Sequence, residues 1–244
     1  MNQPELSGLV LTHEGRDPSA LLTQLSALCA QVVVVQDTRH GAFDLPCSSD
    51  VEDKCRLTVV KRDFDNFPAQ RNAGVEQALG AWILLIDSDE KLSDELHSEI
   101  ASIDPEENTD AFAMPKLEVL KGRALSVSSP CGRIGAFHPR LFRSHLRFAA
   151  EPRVHPLFED QQNLNIEHMT GRIIHSPIET IPELLIKSFR KGRIFTPPEA
   201  KGVTPSKQEV IKYLMQFIHH DGGSGAVLAG MQLLFGIGTL LPEK

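Results

Sequence analysis

Along the first hundred residues, apolar positions come in short unbroken runs, and the stretches between them carry helical spacing or turn residues. Residues 8–12, 32–35, 57–61 and 82–86 are such runs, with Val32, Val33, Val34 and Val35 forming four consecutive β-branched positions. These runs predict four strands, that at 8–12 buried and that at 82–86 buried on both faces of a parallel sheet. Residues 18–30 place Leu21, Leu22, Leu25 and Leu28 on one helical face. Residues 68–79 open with Pro68 and are followed by Gly80, the usual start and stop of a helix. Residues 40–53, with Gly41 and Pro46, read as a polar loop. The order strand–helix–strand–strand–helix–strand predicts an α/β fold, a mostly parallel sheet flanked by helices.

Further along, residues 92–100 carry a helical pattern, 104–110 form an acidic loop and 111–120 read as extended. Residues 121–180 mix short apolar runs with Gly, Pro, Arg and His, which predicts short strands and functional loops on the sheet. Residues 182–194 and 206–219 are helix candidates separated by a loop containing Pro197 and Pro198. The division expected is a main domain over residues 1–195 and a helical C-terminal extension over 196–244. Residues 222–241 contain no charged side chain and are long enough to span a bilayer at about 1.5 Å per residue. Their many glycines lower the mean hydropathy. Packing against the domain ranks first for this tail, interfacial membrane contact second and a true span third.

Composition narrows the class. The four cysteines, Cys29, Cys47, Cys55 and Cys131, show no metal-binding spacing, and residues 1–7 are mostly polar with no signal-peptide pattern. A cytoplasmic, reducing setting is expected. The net charge of −7 is uneven: residues 1–120 sum to −13 and residues 121–244 to +6. The basic excess, from Lys121 to Arg153 and from Lys187 to Arg193, suits phosphates or anionic lipid headgroups, with a plain solvated surface as the alternative. Nucleic acid is not an expected partner, because the total is acidic.

The sharpest chemical signal is the end of the fourth run. Apolar residues 82–86 give way at once to Asp87, Ser88, Asp89 and Glu90. Charge cannot continue into a buried strand, so these carboxylates must emerge at its carboxyl edge, where open α/β sheets bind ligands. Carboxylates there suit a hard divalent cation, which in turn holds a substrate's phosphates. The first turn of a helix is the other place that favours such acids.

From Phe64 the chain reads Phe64-Asp65-Asn66-Phe67-Pro68-Ala69-Gln70-Arg71-Asn72-Ala73-Gly74, then Gly80-Ala81-Trp82, the strand, and Asp87-Ser88-Asp89-Glu90. This block resembles the family 2 glycosyltransferases of GT-A (Rossmann-like) fold, in particular the branch similar to lipopolysaccharide-core β-glucosyltransferases. Pro139-Arg140-Leu141-Phe142-Arg143, Arg153-Val154-His155, Ile174-His175-Ser176 and Lys187 follow in that branch's order. The resemblance covers roughly residues 8 to 195.

The resemblance implies a metal-dependent, inverting hexosyltransferase that moves a sugar from a nucleotide-diphosphate sugar to a glycan or lipid-linked acceptor. Bacterial envelope polysaccharide synthesis is the implied setting, with peripheral contact at the inner face of the cytoplasmic membrane. Asp89 would be the main ligand of Mg²⁺ or Mn²⁺, with Asp87 in its outer shell or on the ribose, and His175 assisting the metal or a phosphate. Thr12 and Glu14 stand in the family's Thr-x-Asn-Glu element, with His13 in place of Asn. Asp37 is the candidate partner of the nucleobase. Gln70, Arg71 and Asn72 lie near a helix start, which favours anions, and would contact the nucleotide or order the loop. Arg140 and Arg143 would grip a diphosphate or an anionic acceptor.

An inverting transfer also needs a general base for the acceptor hydroxyl. The family's Val-His-Glu element stands here as Val154-His155-Pro156, so Glu151, Glu159 and Asp160 become the candidates, with His155 assisting. Glu90 would support the metal shell or begin a helix, the second reading being preferred. Two rivals remain open. One is a relative that binds sugar nucleotides without turnover, to which Pro156 points. The other is a nucleotidyltransferase, which would carry a Gly-rich basic loop where residues 12–17 hold only Gly15 and Arg16.

Overall fold

The computed structural model describes residues 6–13, 16–39, 41–45, 49–104, 108–120, 123–124, 137–150 and 157–175. Four runs form parallel neighbours: β1 (Leu6–His13), β2 (Gln31–Asp37), β3 (Arg56–Arg62) and β4 (Trp82–Asp87), in the order β3-β2-β1-β4. Between them lie α1 (Ser19–Ser26), α2 (Ser49–Lys54) and α3 (Phe67–Val75). After β4 come β5 (Glu90–Leu92), α4 (Asp94–Ser102), β6 (Ala111–Leu120), β7 (Arg123–Ala124), β8 (Phe137–Arg143), β9 (Ile166–His168) and β10 (Ile173–His175). The sheet continues past β4 through β8, β6, β10 and β5, with β8 antiparallel to both β4 and β6.

The chain divides into two compact units. Met1–Lys116 with Phe137–Ile174 form the first. Of the second, the described part is the end of β6, paired antiparallel with β7, together with His175. The expected boundary at residue 196, the helices at 182–194 and 206–219, and the uncharged tail lie outside the described residues. Among the described residues, no helix is long and apolar enough to cross a membrane.

Successive strand side chains point to opposite faces, and the runs in β1, β2 and β4 feed two cores, whereas β3, at the edge of the sheet, is half-buried to exposed. Val10, Val32, Val34, Trp82, Leu84 and Ile86 pack with Leu21, Leu22 and Leu25 of α1 and with Leu96 and Ile100 of α4. Leu9, Val33, Val35, Ile83 and Leu85 pack on the other face with Val75 of α3 and the aromatic side chains Phe142, Phe148 and Phe158. Burial on both faces is why these runs do not alternate with polar residues.

Three local expectations are corrected. The loop over residues 40–53 contains the short helix α2, which buries Val51. Helix α3 stops at Val75 rather than running to Leu79. Buried polar side chains satisfy the backbone beyond it: Gln31 donates to the Gln77 carbonyl (3.0 Å) and accepts from Leu79 N–H (2.8 Å), while Ser7 Oγ accepts from Gly80 N–H (2.9 Å). Glu90 does not begin a helix. It opens β5, and Ser93 caps α4 by accepting from Leu96 N–H.

Candidate functional site

The acidic turn sits where β4 leaves the sheet, next to β1. Asp87 is the last residue of β4, in register with Leu11, and Ser88 N–H donates to the Leu11 carbonyl at 3.2 Å. The chain then reverses, and Glu90 Oε2 accepts the Asp87 N–H at 2.9 Å. Glu90 is buried and carries two cationic partners. Its Oε1 accepts from Lys116 Nζ of β6 at 2.8 Å and from Arg140 Nη2 of β8 at 3.1 Å. The same Arg140 nitrogen lies 3.2 Å from Asp87 Oδ2. Buried charges persist only when paired and hydrogen-bonded, and this network meets that condition.

Arg71, from the middle of α3, adds a further positive charge. Burial pulls its guanidinium down to about 10, against the attraction of Asp87. Burial pushes the Asp87 carboxyl up, but Arg140 and Arg71 outweigh it and hold it below the ordinary carboxylate value. Arg140 is raised: burial opposes its charge, and Glu90 and Asp87 more than offset that penalty.

Among the described residues, the buried polar atoms at this end of the sheet with no hydrogen-bond partner include Arg71 Nε, Arg140 Nη1 and Thr12 Oγ1. Unmatched buried donors are costly, and the two guanidinium N–H groups call for an anionic acceptor. Asp89 lies at the outer end of the turn with a side chain 22% exposed, and Arg16 stands 3.9 Å away. Among the described residues no group of three or more His, Cys, Asp or Glu could enclose a metal ion. One or two carboxylates beside anion-seeking arginines instead fit a cation that takes its remaining oxygens from phosphates.

The other predicted residues fall in three places. Arg71, Asp87, Asp89 and Arg140 belong to this region, as does Thr12, near the end of β1, while Gln70 is buried within α3. Asn72 is engaged elsewhere in its own neighbourhood: its amide donates to the Phe148 carbonyl and accepts the Phe148 N–H, both at 2.9 Å. That clamp seats the Phe148 ring 5.1 Å beneath the Arg71 guanidinium. Asp37 ends β2 with its carboxylate held by Arg39 (2.7 Å from Nη2) and by Phe64 N–H. Burial pushes the Asp37 carboxyl up, and the Arg39 hydrogen bonds more than reverse this.

Arg143 is not brought to the turn. It pairs in register with Trp82 at the opposite end of β4, stacks over that indole at 4.3 Å and donates to the Thr109 carbonyl. Three residues along β8 from Arg140 is enough to carry it about 10 Å along the strand. Glu159 and Asp160 lie exposed in the turn after Phe158, Asp160 with φ 52°. His175 ends β10. Glu14, Glu151, Arg153, His155, Pro156 and Lys187 lie outside the described residues.

Lys116 was missed by sequence reasoning, as was the role of Glu90. The available signal was a lone Lys following the apolar residues 111–115, since a charge in a strand that buries Ala111, Phe112, Ala113 and Met114 needs a partner.

The parallel half-sheet and its antiparallel extension, flanked by helices, form a mostly parallel α/β fold that matches glycosyltransferase structures. No family model and no curated protein sequence matches the chain. Among solved structures, TarS 1–349 from S. aureus in complex with UDP-GlcNAc superposes with a TM-score of 0.50 at 13% identity, over 95% of this chain and 90% of that one. A further TarS structure gives 0.49 at 14% identity over 96% of this chain. This chain spans 54% of that longer TarS chain. The mannosyltransferase PcManGT from Pyrobaculum calidifontis, in complex with GDP-Man and Mn²⁺, gives 0.48 at 11% identity, over 95% of this chain and 74% of that one.

Proposed function

We propose that this protein is a metal-dependent, inverting family 2 glycosyltransferase that moves a sugar from a nucleotide-diphosphate donor to a glycan or lipid-linked acceptor. The observation that carries the reading is the Asp87-Ser88-Asp89 turn at the carboxyl edge of β4, near Arg140 Nη1 and Arg71 Nε, which are buried with no acceptor among the described residues. The fold shared with TarS, solved with UDP-GlcNAc, supports a nucleotide-sugar donor. The basic C-terminal half supports work on bacterial envelope polysaccharide, in the manner of the lipopolysaccharide-core branch, at the inner face of the cytoplasmic membrane.

In this reading Arg71 and Arg140 take the donor's diphosphate oxygens, and Asp87 receives a ribose hydroxyl or supports the metal shell. Asp89 would hold Mg²⁺ or Mn²⁺, which neutralises the charge that develops on the leaving diphosphate. The acceptor hydroxyl gives its proton to Glu151, Glu159 or Asp160 as it attacks the anomeric carbon from the face opposite the leaving group. His155 and His175 assist at the acceptor and phosphate ends.

Pro156, standing where the family carries Glu, favours a second reading in which the protein binds sugar nucleotides without transfer. A thermal-shift screen of UDP- and GDP-sugars with and without Mn²⁺ tests what both readings share. A melting-temperature rise for at least one nucleotide sugar that grows with Mn²⁺ is expected. No rise with any of them would overturn both.

A further inference from the structure

Glu90 is the most enclosed acid at the site, with a side chain of 0% exposure. Its oxygens are taken by three elements: Asp87 N–H of β4 on Oε2, and Lys116 of β6 with Arg140 of β8 on Oε1. Arg140 Nη2 is therefore shared between Glu90 at 3.1 Å and Asp87 at 3.2 Å. At such nearly equal distances, Glu90 draws off part of the attraction that would otherwise fall wholly on Asp87. It also closes the turn that presents Asp89, through the backbone bond from Asp87.

We propose that Glu90 is a positioning residue: it restrains Arg140 and closes the turn, so that Asp87 and Asp89 remain available to a divalent cation bound together with a nucleoside diphosphate. Glu90 touches neither ligand and acts through Asp87. The inference rests on the nucleotide-sugar reading above and adds a determinant of metal dependence to it. Neutralising Glu90 removes one of the two carboxylates that share Arg140 Nη2, so Arg140 pulls harder on Asp87 and attracts phosphate without a metal. The coupling between cation and nucleotide falls, while nucleotide binding by itself does not.

The test measures the affinity of the full-length chain for UDP and GDP by calorimetry, with and without Mn²⁺, in the wild type and in Glu90→Gln. The wild type is expected to bind at least one nucleotide about tenfold or more tighter with Mn²⁺. Glu90→Gln is expected to lose most of that gain while its metal-free affinity stays level or rises. A residue that merely supported the fold would lower both affinities together, and that result overturns the inference, as does an undiminished Mn²⁺ gain. Wild-type protein that shows no Mn²⁺ gain with either nucleotide overturns the parent reading as well. If Glu90→Gln does not fold, Lys116→Gln carries the test. It leaves Glu90 to Arg140 alone, so the gain should hold or increase, and a fall contradicts the inference.

Discussion

Asp87 and Glu90 divide one arginine between them, and that sharing governs how the turn responds to acid. The carboxyls of Asp87 and Asp37 both lie below the ordinary 3.8 in the folded chain; burial works against this at each, and arginines prevail. A depressed folded value means the unfolded chain binds more protons near pH 4. The stability these groups contribute is therefore present above that pH and is lost as pH falls through the folded values. Denaturant midpoints should drop steeply below about pH 4. Asp37→Asn should lower the midpoint at pH 7 and flatten the acid limb, and an unchanged curve would contradict the pairing with Arg39. Asp87 and Asp89 are legible in the sequence because charge ending an apolar run has one place to go. Arg140 and Lys116 are not legible as the partners of Glu90, because the contacts join separate strands, across 50 residues for Arg140, and no local spacing encodes them.

The elements that carry the site depend on two close approaches. A Cβ at Gly171 would stand 2.3 Å from Leu96 Cα and 2.4 Å from Leu96 N, the backbone of α4. At Gly74 on α3 it would stand 2.2 Å from a Leu9 methyl and 2.9 Å from a Val35 methyl. Backbone cannot give way as a side-chain tip can. Gly171→Ala should therefore cost about 3 kcal/mol or more, and Gly74→Ala about 1–2 kcal/mol, by urea unfolding. The reverse order would show that α4 is free to shift. Helix α3 was readable from its Pro start, and Asn66 caps it as such a sequence favours. Its early end was not, because Gln31 and Ser7, far earlier in the chain, supply the bonds that a longer helix would have made internally. Helix α2 was hidden in a polar stretch whose one buried apolar residue, Val51, leaves no periodicity to detect.

At the scale of the molecule, the parallel core is legible because burial on both faces writes itself as continuous apolar runs. The antiparallel extension is less so: β5 and β10 hold three residues each, too few to show a period, and β6 interrupts its apolar residues with Pro115, Lys116 and Glu118. The proposed metal end rests on the turn at β4, whereas the proposed acceptor end draws on Glu151 and His155, which lie outside the described residues. In the function proposed, Asp89 supports metal-dependent release of a nucleoside diphosphate from a sugar donor. The direct measurement is Mn²⁺-dependent turnover of the nucleotide sugar that gives the largest thermal shift, in the wild type and in Asp89→Ala. Wild-type turnover, falling about 100-fold or more in Asp89→Ala with the unliganded melting temperature unchanged, is the predicted result. Equal turnover in the two proteins, or none in a wild type that binds the donor, would contradict it.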